Sequence, residues 1–184
     1  MERLKRAEVI RLAAETGEVS GYDLSGIDLS ALDLIAVQFR GSNLTKANLS
    51  KSNFSGSSFD DAVISGGDLS SSNFTGASFR NATIESADLT FSTFVGARFD
   101  RAILRRSDFT NSRLSAADFR QADLSEAILQ MTDAALVIMT GASLLRVRAK
   151  ASSMIGADLS GVDAREAVMT GKNIFQTLFQ QQID

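Results

Sequence analysis

The residues able to do chemistry in this chain are a narrow set. There is no His and no Cys among 184 residues. That removes the commonest general base, the commonest transition-metal ligand and every thiol nucleophile or disulfide. The only Tyr is Tyr22, and Trp and Pro are absent. Ser, Asp, Glu, Lys and Arg remain, and several recur at intervals of 20 residues. One series reads Asp28, Asn48, Asp68, Asp88, Asp108. Carboxylates stacked in neighbouring strands repel unless backbone donors or cations satisfy them. Another reads Arg40, Asp60, Arg80, Asp100, Arg120, the alternation of sign that adjacent strands favour. Ser30, Ser50, Ser70, Thr90 and Thr110 form a hydroxyl ladder.

The acidic series changes character downstream, becoming Ile128, Arg148 and Val168. Ile103, Met131 and Leu145 fall at outward positions nearby, and Arg105, Arg106, Arg146, Arg148 and Lys150 add positive charge to two adjoining sides. Apolar residues edged by arginine are a candidate protein-binding patch. None of these groups converges on a base or a cleft, so no enzyme activity, metal or cofactor is expected.

These spacings belong to a shorter period. From Leu24, every fifth residue through Met169 is apolar: 30 consecutive positions, 27 of them Leu, Phe, Ile or Met, with no insertion. The position two earlier is mostly small, as at Ala47, Ala62, Ala77 and Ala97. Eleven of the 13 glycines lie two residues after the large one, which predicts a turn with positive φ. A period of five fits neither a helix nor a flat strand. It fits a coiled ribbon with one extended stretch and one corner per five residues.

Every fourth large residue forms a nearly homogeneous column. Phe39, Phe59, Phe79, Phe99 and Phe119 make one, and Leu29, Leu49, Leu69 and Leu89 another. Four sides and 20 residues per coil follow. Segments such as KANLS (46–50), SADLT (86–90), AADFR (116–120) and QADLS (121–125) resemble the pentapeptide-repeat family, A(D/N)LXX in consensus. The resemblance covers residues 20–171. It implies an all-β solenoid, a right-handed quadrilateral β-helix of about 7–8 coils rising roughly 4.8 Å each.

A solenoid needs covered ends. Residues 1–19 are expected to form an N-terminal capping helix over 2–16, with Leu4, Ala7, Ile10 and Ala14 in one stripe, Val9, Leu12 and Ala13 beside it and Gly17 as C-cap. Residues 172–184 are expected to form a C-terminal helical cap whose apolar face, Ile174, Phe175, Leu178 and Phe179, closes the core or joins two copies as a homodimer.

The net charge of −3, from 22 acids and 19 bases, signals neither nucleic acid nor membrane as a partner. No signal-like or spanning apolar run appears, so the expected location is the cytoplasm. The function expected is that of a non-enzymatic scaffold offering one rigid side to a protein partner, with bacterial origin implied by the resemblance. Two alternatives also come from the resemblance. One is a regulator of DNA gyrase that mimics duplex DNA through the acidic column Asp28, Asp68, Asp88 and Asp108. The other is an accessory or effector protein of a secretion system.

Overall fold

In the computed structural model, residues 1–172 are described. The extended stretches of successive coils pair in parallel at a constant offset of 20 residues, from Glu18↔Gln38 and Asp23↔Asn43 to Ser143↔Asp163. Four bridges recur per coil, so the ribbon has four sides, as the columns predict. We number the sides from the first coil: Leu24 lies on side one, Leu29 on side two, Leu34 on side three and Phe39 on side four. Most pairings are single bridges because each stretch is only two or three residues long before it turns. Among the described residues, longer strands occur only near the end: β1, Arg148–Ser153, pairs in parallel with β2, Val168–Lys172.

Each large residue donates its N–H to the coil above, and the residue before it donates to the coil below. Leu24 N–H reaches the Asn43 carbonyl at 2.7 Å, and Asn43 N–H reaches the Tyr22 carbonyl at 2.9 Å. The large positions are buried from Leu24 through Leu159. This ladder fixes the coil rise, and the rings follow it. Phe39, Phe59, Phe79, Phe99 and Phe119 stack with centroids 4.6–5.0 Å apart and planes within 7°. Phe54, Phe74 and Phe94 stack likewise at 5.0–5.2 Å. Edge-to-face contacts such as Phe59–Phe74 at 5.9 Å join the two columns into one aromatic core.

The corners differ from the glycine expectation in a useful way. All corner positions from Gly21 to Glu166 have positive φ, yet 20 of them are not glycine and sit at φ 54–64°. The coil imposes the left-handed conformation, and glycine only makes it easier.

Most corners close with a hydrogen bond from the inward small residue to the large residue three before it, as from Ala77 N–H to the Phe74 carbonyl at 3.0 Å. Where the coil above carries Ser at its inward position, that bond is opened and bridged. The Ser92 hydroxyl accepts from Ser72 N–H at 3.0 Å and donates to the Leu69 carbonyl at 2.8 Å. Ser42, Ser52, Ser57, Ser72 and Ser112 do the same for the turns beneath them. Ser107 bridges Ala87 and Ile84 in the same way. An inward Ser is therefore a hydrogen-bonded strut between coils. No buried side-chain polar atom among the described residues lacks a partner.

At the N-terminus the chain starts as ribbon. Arg3 bridges Asp23, and Leu4 N–H bonds the Asp23 carbonyl. The helix α1 therefore spans Arg6–Thr16, later than the 2–16 expected, and ends at Gly17 with φ 70°. Its packing stripe also differs. Val9 is fully buried and Leu12 and Ala13 are half-buried, while Ile10 is 39% exposed and Ala7 and Ala14 are exposed. The Arg6 guanidinium sets the rotation, bonding the Asp28 and Ser30 carbonyls at 2.5 and 2.9 Å. Lys172 closes β2, so the ribbon runs one residue past Gly171. The expected C-terminal cap, with Ile174, Phe175, Leu178 and Phe179, otherwise lies outside the described residues.

Ser92→Ala is expected to lower stability by about 1 kcal/mol, because the strut between coils is lost and the Ser72 N–H must close on the Leu69 carbonyl directly, as the turn does at Ser107 and Leu104. Ser71→Ala, at an exposed corner, should stay within about 0.5 kcal/mol of wild type. Thermal and denaturant unfolding of the two variants checks the difference.

Candidate functional site

The candidate residues lie on the outward positions of a regular rod, so their neighbours are set by coil and side. On side two, the carboxylates of Asp28, Asp68, Asp88 and Asp108 each accept the backbone N–H two residues on, at 2.8–2.9 Å. Asp108 also accepts the Thr110 hydroxyl at 2.5 Å. The hydroxyl ladder and the acidic column are thus one structure, in which each corner supplies the donors that stacked carboxylates require. The Ser30 hydroxyl and then its N–H hold the Asp28 carboxyl below its ordinary value, with Arg6 adding a weaker pull from 3.6 Å.

Above Asp108 the same side continues as Ile128 and Arg148, which bridge in sequence. Ile128 is half-buried, and Arg148 and Lys150 are exposed. The side chains of Arg148 and Lys150 enter none of the hydrogen bonds or ion pairs found among the described residues. The other arginines of the expected patch are engaged. Arg105 meets Asp123 at 2.6 Å, Arg146 meets Glu166 at 2.9 Å, and Arg106 donates to the Ser86 hydroxyl at 3.3 Å. The Asp123 and Glu166 partners raise the guanidinium values of Arg105 and Arg146.

The nine patch residues fall on two adjoining sides and the corners that bound them. Ile103, Arg105, Arg106, Leu145 and Arg146 belong to side one and its corner. Ile128, Arg148 and Lys150 belong to side two. Met131, 53% exposed, stands at the far corner of side two, against side three.

The alternating ladder on side four is also rearranged. Arg80 pairs with Asp100 at 3.0 Å, but Arg120 turns to Asp118 at 2.5 Å and Arg40 to Asp61 at 3.9 Å. Asp60 instead accepts the Arg80 N–H at 3.0 Å and the Ser78 hydroxyl. A neighbour two residues away in the same stretch is as near as one in the next coil, and the closer geometry wins.

Sequence reasoning singled out Met131 but missed the group to which it belongs. Apart from Met1, the most exposed large apolar side chains are Phe91 (64%), Leu136 (63%), Ile35 (57%), Met131 (53%) and Ile155 (47%). All five lie on side three or its two corners. Their positions one and two residues after the large residue were legible in the register, and asking which outward columns lack charge would have found them. Beside Phe91 runs a shallow groove of about 440 Å3 lined by residues such as Lys51, Asn53, Ser71 and Asn73.

Among the described residues, no three His, Cys, Asp or Glu side chains gather as metal ligands, and no helix is long and apolar enough to cross a membrane. The class of molecule this defines is a four-sided β-solenoid whose features lie on flat sides and shallow grooves. The sequence profile of the pentapeptide repeat region matches residues 32–109, and that of eight tandem pentapeptide repeats matches residues 102–141. The chain belongs to the pentapeptide-repeat family.

Similar solved structures include HetL, a pentapeptide-repeat protein involved in heterocyst differentiation regulation from the cyanobacterium Nostoc sp. strain PCC 7120. It is 22% identical, with 89% of this chain and 94% of that chain covered and a TM-score of 0.45. Rfr23 from the cyanobacterium Cyanothece 51142 is 18% identical over 89% and 99%, with a TM-score of 0.48. QnrB1, a plasmid-mediated fluoroquinolone resistance protein, is 18% identical over 99% and 94%, with a TM-score of 0.42. No curated protein sequence matches the chain.

The Arg–Asp pairs carry a pH dependence. Burial pushes the Asp118 carboxyl up, but hydrogen bonds from the Arg120 side chain and N–H outweigh it and hold it below 3.8. Burial likewise opposes the Ser125 and Arg105 bonds at Asp123, and the bonds again prevail. A carboxylate with a lowered folded value stabilises the fold fully above its unfolded value. It loses that contribution as pH falls through the folded value. The thermal midpoint should therefore be flat above about pH 5 and drop below about pH 4, more shallowly in Asp118→Asn. Equal slopes for the variant and wild type would contradict this assignment.

Proposed function

We propose that this protein is a non-catalytic binding module, and that the upper half of side two receives a protein partner presenting acidic and apolar groups. One observation carries the reading: side two changes sign along its length. Its lower coils hold Asp28, Asp68, Asp88 and Asp108 satisfied within their own corners. Its upper coils hold Ile128 between Asp108 and an exposed Arg148, with Lys150 beside it. Charges already paired within a fold gain little from a partner, whereas exposed unpaired ones keep their full capacity to orient one. Ile128 supplies the apolar centre that such an interface needs. The rod supplies rigidity, since its sides are tied coil to coil by the parallel ladder. Bacterial origin and action in the cytoplasm belong to this proposal; the first rests on the family alone, the second on the expectation drawn from the sequence.

The duplex-mimic alternative asks for free charge at phosphate-like density. Duplex DNA carries a charge about every 1.7 Å, while side two offers at most one carboxylate per coil of roughly 4.8 Å.

Ile128→Glu and Arg148→Glu should each remove the partner captured from host lysate while leaving the thermal midpoint near that of wild type. Retention of every captured protein by both variants would sink the proposal.

A further inference from the structure

Side three carries the least charge of the four. At its outward stretch positions from coil one to coil seven, only Asp33, Arg113 and Asp133 are ionic. It also carries or borders the five most exposed large apolar residues of the coil. Their placement is uneven. Met131, Leu136 and Ile155 project from coils six and seven. The lower coils are hollowed. The groove beside Lys51 and Asn53 lies there, as does the Gly56 corner, where a side chain would meet open space. A crevice of about 170 Å3 between α1 and coil one, lined by residues such as Ile10, Ala14 and Leu34, opens beside Ile35.

Knobs above and hollows below make a face complementary to itself when inverted. We propose that side three docks on side three of a second copy, with the rods antiparallel and the two-fold axis crossing coil four. A two-fold axis across the side sets coil one on coil seven, two on six, three on five and four on itself. Phe91 then meets Phe91 of the second copy, and Ile155 enters the crevice beside Ile35. Leu136 covers Gly56, and Met131 enters the groove at Lys51, lying on its aliphatic stem.

The polar positions agree. Asp33 faces Ser153, Asp133 faces Asn53 and Arg113 faces Asn73, so each of the three charges at the stretch positions meets a hydrogen-bonding partner, while Lys51 stands at the corner of the side. A parallel arrangement would instead put Asp33 on Ile35 and Asp133 on Ala135, so that both carboxylates lose water to apolar groups with no partner across the interface, and Asp133 keeps only the Ser115 hydroxyl and Ala135 N–H of its own rod. Sliding the antiparallel register so that coil one meets coil six would put Asp33 on Asp133. Side two fails the same inversion, because it would set Asp68 on Asp108 and Asp88 on itself.

The strip is about 34 Å long by coil rise and one side wide, so each dimer buries less than the standard interface area. Association is accordingly weak and concentration-dependent.

The absence of Cys allows a clean test. Full-length Phe91→Cys, Ile35→Cys and Ile155→Cys are treated at high concentration with a bismaleimide spanning about 10 Å, the spacing of packed sheets. Phe91→Cys, on the axis, should give a covalent dimer alone. Ile35→Cys and Ile155→Cys should each stay monomeric alone, since like residues lie roughly 29 Å apart by coil rise, and should cross-link when mixed. Thermal midpoints near wild type show that the variants are folded, and light scattering follows the wild-type mass. Cross-linking of Ile35→Cys alone overturns the antiparallel arrangement. A dimeric mass with none of these cross-links overturns it in favour of contact elsewhere, including through residues 173–184. A mass held at 19.7 kDa up to millimolar concentration, with no cross-link, overturns self-docking and leaves side three to a different protein.

Discussion

The parallel hydrogen bond between one coil and the next sets every other dimension of this molecule. It holds the coil rise near the spacing of strands in a sheet, about 4.8 Å. Whatever occupies a position therefore meets the residue 20 later at that distance, inside or out. Inside, the distance suits stacked phenyl rings, which is why Phe39 to Phe119 stack within 7° of parallel. Outside, it forces like on like at the surface, and each column must find a way to tolerate its own repeat.

The columns find different ways. Stacked aspartates on side two turn inward to their own corners and accept local N–H and hydroxyl donors. Stacked serines at the inward slot link coils by bridging the open turn below. The left-handed corner, disfavoured for an ordinary residue, is carried at 20 non-glycine positions because the ladder on both sides of it fixes the chain. Strain at single corners is thus distributed across a scaffold that over-determines each one.

Among the described residues the coil interior is filled by its own side chains, so the features that distinguish one coil from another lie on the sides. The sides are not equivalent. Side four is bound up in its own ion pairs. Side two divides into a satisfied acidic half and a half where exposed Arg148 and Lys150 flank a half-buried Ile128. Side three is nearly uncharged and carries projections at one end and hollows at the other. Two different sides of one rigid rod can serve two different contacts without competing, because each coil presents four directions at the same height.

The sequence by itself determined the period, the number of sides and the content of every core column. A buried position repeated 30 times without a gap tolerates only apolar residues, and so it writes its register into the chain. It also placed Ile128, Arg148 and Lys150 on one side. Tertiary structure decided what outward residues do, because there the chain leaves several partners within reach. Arg120 chose Asp118 over Asp100 by local geometry. The ribbon began at Arg3, and α1 was delayed and rotated, because Asp23 offered Leu4 a strand partner and Arg6 found two carbonyls. Phe91 and Leu136 emerged as the most exposed apolar groups of the coil because a corner with positive φ turns its side chain away from both flanking sides. Burial is specified residue by residue, whereas exposure depends on which neighbours stand beside a side chain, and only the folded coil supplies those neighbours.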